Sequence, residues 1–291
     1  MSKQRENYFY KQLVPFLVGA YPSISAAKAQ ALGICAFDYF SVLLTFITYF
    51  VSFFCGFSSC SFKHEIVHEK NSANLSVYLN EIEKATITLC GHKKSIQKIL
   101  SNDPNCREIL AIGFPEVIRW NEFQDMIEIS FDKSIYVNFG SKKLDFSIGL
   151  FQMKPSFIEN LESYVKKYPL VFPHVIVMTV ILEGKEEKKN RLIRIQRLSN
   201  TEWQLRYLSV YWRVVNHKFR YIIFKNNSQK LKFYAAAYNF GFTKPISQIQ
   251  NWQSKKLFPY GKNYEKIQVA YSDISLLFFQ SHSQIFNQTN Y

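Results

Sequence analysis

Metal-binding and repeat signatures are missing from this chain of 291 residues. No two of its cysteines have the close CxxC spacing that is typical of a structural zinc site. No segment of the sequence repeats internally. The sequence therefore gives no support for a metal centre or for a solenoid, and it implies no cofactor. The five cysteines are Cys35, Cys55, Cys60, Cys90 and Cys106.

Acidic residues are scarce: 22 aspartates and glutamates face 36 lysines and arginines, a net charge of +14. The segment from Lys188 to Lys232 holds twelve of the basic residues and a single acid, Glu202, so it contributes most of the excess. Such a surface attracts nucleic acid, anionic lipid or an acidic polysaccharide. A solvated surface that only keeps the protein soluble is the alternative.

A disordered chain is excluded by composition, because 47% of the residues are hydrophobic and 17% are aromatic. The aromatic share suits either a dense core or a groove that stacks against flat ligands such as sugars or bases.

One long uncharged run, residues 39–62, contains 24 residues. A helix of that length crosses a hydrocarbon layer, so the run is interpreted as a membrane segment or a signal sequence. The preceding residues carry a net charge of +2, which places residues 1–38 in the cytoplasm and the rest outside, in a bacterial cell envelope or periplasm. A cleaved signal and a lipid on Cys60, which follows Ser58 and Ser59, both remain open. An exported position argues against a nucleic-acid partner.

Three parts are expected along the chain: a leader with the hydrophobic segment over 1–62, a connector over 63–100 with one short helix at most, and a mainly helical domain over 101–291. A disulfide between Cys90 and Cys106 is possible in the exported part.

Local signals predict several helices in the domain. Asp103 and Pro104 are typical of a helix start, and Pro115 should kink or break that helix. Residues 199–202 (SNTE) form a capping box before an amphipathic helix. Residues 232–239 predict another helix, which Gly241 should end. Residues 183–190 are interpreted as an exposed loop.

Three short motifs stand out in this domain. Glu116 lies among apolar neighbours, where desolvation should raise its pKa and keep it protonated, as a general acid requires. Residues 145–157 (DFSIGLFQMKPSF) place Gly149 and Gln152 inside an apolar run, which a buried strand would avoid. Residues 237–241 (AYNFG) bring Tyr238 and Asn239 to a helix end. Surface, core and helix-end roles are the ordinary alternatives for each motif taken alone.

The order of these motifs resembles the lysozyme-like lytic transglycosylases, the soluble-type murein enzymes related to goose-type lysozymes. In that family a catalytic Glu ends a helix, a Gly-Leu-Met-Gln segment and an Ala-Tyr-Asn-x-Gly segment follow, and a tyrosine stands on a late helix. Residues 147–155 (SIGLFQMKP) match the second motif with Phe for Met, and residues 237–241 match the third. The resemblance spans about residues 105–280.

The resemblance implies a mainly α, lysozyme-like α+β fold and cleavage of the β-1,4 bond between N-acetylmuramic acid and N-acetylglucosamine in peptidoglycan strands, with formation of 1,6-anhydromuramoyl ends. It implies that Glu116 is the catalytic acid and then base. The expected supporting residues are Ser147, Gly149, Gln152, Tyr238, Asn239 and Tyr271. Ser147 and Gln152 would hold sugar groups, and Gly149 would allow sugar and backbone to approach. Tyr238 would orient Glu116 or the substrate, Asn239 would bind an N-acetyl group, and Tyr271 would lie beside Glu116.

The chain departs from the family pattern in three places. Val117 replaces the serine that normally follows the catalytic Glu, and the 33 positions between Glu116 and Gly149 imply an extra helical piece around residues 121–140. Tyr264 is the alternative to Tyr271 as the late tyrosine. A hydrolytic lysozyme using Asp145 as a second acid, or a catalytically inactive murein-binding protein, are the rival functions.

Overall fold

The computed structural model describes residues 75–120, 133–182, 184, 186–259, 267–281 and 283–286. These residues fall within one unit, Glu65 to Tyr291, and they are mainly helical, as the sequence predicts. The hydrophobic segment 39–62 and Cys60 lie outside the described residues. Within the described ranges, no helix is long and apolar enough to cross a membrane.

The described residues form helices that follow one another in chain order. They are α1 (Leu79–Gly91), α2 (Lys93–Leu100), α3 (Cys106–Arg119), α4 (residues 133–139), α5 (Pro155–Lys167), α6 (His174–Val180), α7 (Glu187–Leu198), α8 (Thr201–Lys218), α9 (Asn227–Phe240), α10 (Ile246–Gln253) and α11 (Tyr271–Ser281). Single 3₁₀ turns occur at Ser76–Tyr78, Pro169–Val171 and Ser283–Phe286. Two short strands, β1 (Lys256–Phe258) and β2 (Val269–Ala270), pair antiparallel just before α11.

Helix α3 lies at the centre of the core and packs against α1, α8, α9 and α11. Its side chains Ile109, Leu110, Ile112 and Phe114 have no exposed surface. Each large apolar side chain that is fully buried contributes roughly 1.5–3 kcal/mol relative to an exposed one. Helix α3 is therefore firmly anchored, and its last turn is a rigid place for Glu116.

The expectation of a connector over residues 63–100 is wrong for its second half. Residues 79–91 and 93–100 form α1 and α2, and Ile82, Leu89, Ile96 and Leu100 are buried in the same core as α3. The apolar residues stand three, four or seven positions apart, so they form narrow stripes on two otherwise polar helices. Because residues 63–100 are polar on average, their overall composition does not indicate such stripes.

The start and the continuity of α3 also differ from the prediction. The helix begins at Cys106, after a turn in which Asp103 Oδ1 accepts a hydrogen bond from the Asn105 backbone N–H (3.0 Å). Asp103 Oδ2 forms a salt bridge with Arg213 (2.9 Å). Pro115 neither breaks nor ends α3. A proline inside a helix costs about 3 kcal/mol, and the buried residues on either side of Pro115 offset that cost.

The boundaries of α7, α8 and α9 are partly as predicted. α8 begins after Ser199-Asn200, and its cap is Asn200, whose side chain accepts a hydrogen bond from the Trp203 N–H (3.1 Å). The Ser199 hydroxyl instead donates to the Ile195 carbonyl oxygen at the end of α7. α9 ends before Gly241 (φ +117°), as expected. The predicted loop over 183–190 is wrong from Glu187 onward, where α7 begins.

Two further expectations concern the pair Cys90 and Cys106 and the helical piece around residues 121–140. No disulfide joins Cys90 to Cys106, so the possible pairing is not formed. Burial raises the pKa of the Cys106 thiol to about 11. The extra helical piece expected around residues 121–140 is present as α4, and residues 121–132 lie outside the described part of the chain.

Candidate active site

Glu116 lies in the last turn of α3 at the wall of a groove of about 450 Å³. Only 4% of the Glu116 residue surface is exposed. The other walls come from residues 145–160 and from the end of α9 with the turn after it. The structure thus brings Ser147, Gln152, Tyr238 and Asn239 to the same groove as Glu116, although these residues are far apart in sequence.

Both carboxylate oxygens of Glu116 have partners. Oε2 lies 3.0 Å from Nη1 of Arg119, one helical turn later, and Oε1 accepts a hydrogen bond from Nδ2 of Asn239 (3.3 Å). The Asn239 amide is oriented by Trp252 on α10, whose indole Nε1–H donates to Asn239 Oδ1 (3.0 Å). Because an indole N–H can only donate, the amide must turn its NH₂ group toward Glu116.

Burial raises the pKa of Glu116 above its ordinary value of 4.5. Arg119, Asn239 and Tyr271 favour the charged form and offset part of this effect, but the net direction is upward. A carboxyl with a raised pKa keeps its proton at a pH where an exposed Glu has lost it. The hydrogen bonds from Arg119 and Asn239 stabilise the carboxylate once the proton has left, so the site can release and regain a proton.

Tyr271, the first residue of α11, lies beside Glu116. Its hydroxyl donates to the Ile112 carbonyl oxygen (3.0 Å), which ties α11 to α3. Burial and the neighbouring Glu116 raise the pKa of Tyr271 well above its ordinary value, so it remains a neutral phenol. The rival tyrosine, Tyr264, lies outside the described residues.

The segment after α4 turns back on itself in a tight hairpin. Ile148 and Met153 exchange two backbone hydrogen bonds (3.0 and 3.1 Å), and both Gly149 (φ +71°) and Gln152 (φ +47°) adopt left-handed backbone conformations. The Gln152 backbone N–H and its side-chain NH₂ both donate to the Gly149 carbonyl oxygen, each at 2.9 Å. Gln152 therefore faces the groove, as expected, and also stabilises the turn that carries it.

The reason expected for Gly149 is wrong. Gly149 is not part of the groove wall; an added Cβ would lie 1.7 Å from Nε2 of Gln204, a buried residue of α8. Gln204 accepts from the Phe151 N–H (2.8 Å) and donates to the carbonyl oxygens of Ile148 and Leu198. The glycine allows the hairpin to approach Gln204, not a sugar.

Tyr238 contributes to the same hairpin. Its hydroxyl donates to the Phe151 carbonyl oxygen (2.8 Å), and its ring packs edge-on against Phe157 and Tyr211. Burial is the main reason that the pKa of Tyr238 is raised well above its ordinary value. Tyr238 thus fixes α9 against the hairpin and so holds Asn239, the next residue, in place.

Asp145 lies in the groove but has a structural role of its own. Its Oδ1 accepts from the Ser156 backbone N–H (3.0 Å) and its Oδ2 from the Ser156 hydroxyl (2.7 Å). These contacts satisfy a free N–H in the first turn of α5. Among the described residues that line the groove, Glu116 and Asp145 are the only acids.

Three residues of this site were missed by the sequence analysis: Arg119, Trp252 and Gln204. Gln204 was detectable in principle, because it stands four and seven positions before Leu208 and Tyr211 on the buried side of α8. An amide on an apolar helix face requires a buried partner. The sequence cannot say that this partner is the 148–151 backbone.

Comparison of the chain with protein-family models, with curated proteins and with solved structures finds no match. The functional conclusions therefore depend on the geometry of this groove.

Proposed function

We propose that the chain is a murein lytic transglycosylase with a lysozyme-like catalytic domain. The observation that carries this proposal is the buried carboxyl group of Glu116, whose pKa is raised. It lies in a groove with Gln152 and Asn239 and beside Tyr271. The substrate is the glycan strand of peptidoglycan, and no cofactor takes part.

In the first step Glu116, protonated, donates its proton to the oxygen of the β-1,4 bond between N-acetylmuramic acid and N-acetylglucosamine. The bond from that oxygen to the muramoyl C1 breaks. In the second step the Glu116 carboxylate takes the proton of the muramoyl C6 hydroxyl as its oxygen bonds to C1. One carboxyl group serves both steps, because the nucleophile belongs to the substrate.

The contacts of Glu116 suit this cycle. Burial favours the protonated form before the first step, whereas Arg119 Nη1 and Asn239 Nδ2 donate to the carboxylate between the two steps. A retaining or inverting glycosidase usually needs a second carboxyl group. The candidate for that role, Asp145, has both oxygens engaged by Ser156.

The groove supplies groups that can bind sugars. Gln152 and Asn160 offer amides, and Phe157 and Phe240 offer aromatic surface. Lys154 and Arg119 offer positive charge at the groove for the acidic groups of murein. Ser147, which is expected to hold a sugar group, also lines the groove and offers its hydroxyl there.

The proposed place of action is the bacterial cell envelope, outside the cytoplasm. Export rests on the uncharged segment 39–62 and on the positive charges before it.

The basic segment 188–232 is less available to a partner than its sequence indicates. Arg194 pairs with Glu162, Arg213 with Asp103, and Lys232 with Asp273.

Asp145→Asn separates the proposed mechanism from acid-pair hydrolysis. Glu116 works alone in the proposed mechanism, so the variant should still form anhydro products at close to the wild-type rate. It should lose about 1 kcal/mol of stability, because a neutral amide is a weaker acceptor than a carboxylate for the N–H and hydroxyl of Ser156. The measurements are product analysis on purified murein and the free energy of unfolding.

Ser156→Ala is the matched control, since it removes one of the same hydrogen bonds and keeps the acid. A collapse of activity in Asp145→Asn but not in Ser156→Ala, together with reducing ends from the wild-type enzyme, would replace the transglycosylase with a hydrolytic lysozyme.

A further inference from the structure

Two turns of the domain expose large apolar side chains to solvent. Leu170, in the turn before α6, is 100% exposed, and Ile223, in the turn after α8, is 96% exposed. Val175 and Met178 on α6, and Tyr221 beside Ile223, are exposed as well. Single exposed apolar residues are common, but several on neighbouring turns indicate an interaction surface.

The two turns lie on either side of His217 in the last turn of α8. The ring centroid of His217 is 5.3 Å from that of Tyr168, which directly precedes the first turn. Its Nε2 is 3.2 Å from Nη1 of Arg220, which stacks on Tyr221 in the second turn. A groove of about 510 Å³ lies there, lined by His217 and Val171 and by the Asp103–Arg213 ion pair. Both turns therefore belong to one surface.

Positive charge surrounds these apolar side chains. Lys166 and Lys167 end α5 just before the first turn, and Arg220 and Lys225 flank the second; all four are exposed. No acidic residue occurs in segments 163–182 and 203–264 of the sequence. None of these four cations forms a salt bridge within the described residues, whereas Arg194 pairs with Glu162.

We propose that this apolar-basic face (Leu170, Val175, Met178, Tyr221 and Ile223, with Lys166, Lys167, Arg220 and Lys225) docks the domain onto an anionic phospholipid bilayer. The apolar side chains would enter the boundary between headgroups and acyl chains, and the cations would lie at the level of the lipid phosphates. A hydrophilic polyanion would use the cations but has no place for aliphatic side chains that are fully exposed. The proposal needs neither catalysis nor the identity of the substrate.

The experiment uses the full chain in proteoliposomes, with a photo-crosslinking benzophenone amino acid placed singly at position 170, 223 or 87. Ile87 is an exposed apolar residue of α1, outside the apolar-basic face, and serves as the control position. Positions 170 and 223 should cross-link to lipid several-fold more than position 87 in vesicles that contain phosphatidylglycerol. The difference should shrink in phosphatidylcholine vesicles and at high salt.

A charge variant tests the cations separately. Lys167→Glu with Arg220→Glu should reduce lipid cross-linking from position 223 several-fold, whereas Lys93→Glu with Lys94→Glu, on α2, should not. All positions changed are exposed, so the variants should fold, which circular dichroism checks. Equal lipid cross-linking from all three positions would overturn the proposal. Cross-links to added murein, to a second copy or to residues 1–74 in place of lipid would also overturn it.

Discussion

Glu116→Gln is expected to lower the rate of murein clearing by a factor on the order of 10²–10⁴, the usual contribution of a general acid–base residue. Glutamine has nearly the same shape and can keep the Asn239 contact, but it has no acidic proton to transfer to the glycosidic oxygen. The measurement is the turbidity of purified murein with time. Binding of the variant to murein, measured by co-sedimentation, should remain.

The matched control is Glu108→Gln, the same change in the first turn of α3 and away from the groove. It should clear murein at the wild-type rate. If clearing survives in Glu116→Gln, Glu116 is not the catalyst. If binding is retained and neither the wild type nor the variant clears murein, the domain is an inactive murein-binding protein.

The same substitution should change stability with pH in a defined direction. Because the folded-state pKa of Glu116 lies above its ordinary value of 4.5, the folded protein holds a proton that the unfolded chain has released. Stability is therefore lost as the pH rises from 4.5 through the raised pKa, and the loss is absent at lower pH. Glutamine has no such penalty. The unfolding temperature of Glu116→Gln, relative to that of the wild type, should rise as the pH approaches neutral. A difference in unfolding temperature that is independent of pH would contradict the raised pKa.

Gly149→Ala should have the second-largest effect. Its Cβ would lie 1.7 Å from Gln204 Nε2 and 2.9 Å from the Leu198 carbonyl oxygen, in a left-handed backbone conformation that costs an L residue about 1–2 kcal/mol. Displacing Gln204 leaves the buried Phe151 N–H without its acceptor, a further cost of about 1–3 kcal/mol. The expected loss of unfolding free energy is about 2–5 kcal/mol. Clearing activity should fall with it, because Gln152 moves with the hairpin.

Two variants test the cause assigned to this loss. Gly149→Ala combined with Gln204→Ala removes the side chain that clashes, so the double variant should be more stable than the sum of the single effects predicts. Additive effects would contradict the contact. Gly91→Ala, at a glycine of α1 whose added Cβ meets nothing within 4 Å, should not lower stability.

Parts of this fold could be predicted from sequence because their signals are local. The apolar spacing of α8 and the glycine after α9 each lie within one element, and both predictions are confirmed. Helices α1 and α2 were missed, since only a few apolar residues on each face the core. The start of α3 lies later than predicted, and the contact between Asp103 Oδ2 and Arg213 on α8 joins residues that are far apart in sequence.

The site shows the same division. The order of Glu116, the 147–155 motif and Asn239 led to one groove, which the structure describes. The anomaly at Gly149 was recognised, but its cause was not, because Gln204 lies 55 positions away in sequence. The role of Trp252 in orienting Asn239 is likewise a contact between helices that no local pattern records.

The mass of the products that the wild-type enzyme releases from purified murein tests the proposed mechanism most directly. Intramolecular attack by the C6 hydroxyl gives muropeptides that are lighter than the hydrolytic products by one water molecule and that have no reducing end. The account predicts these anhydro products. Products of hydrolytic mass with free reducing ends would contradict it.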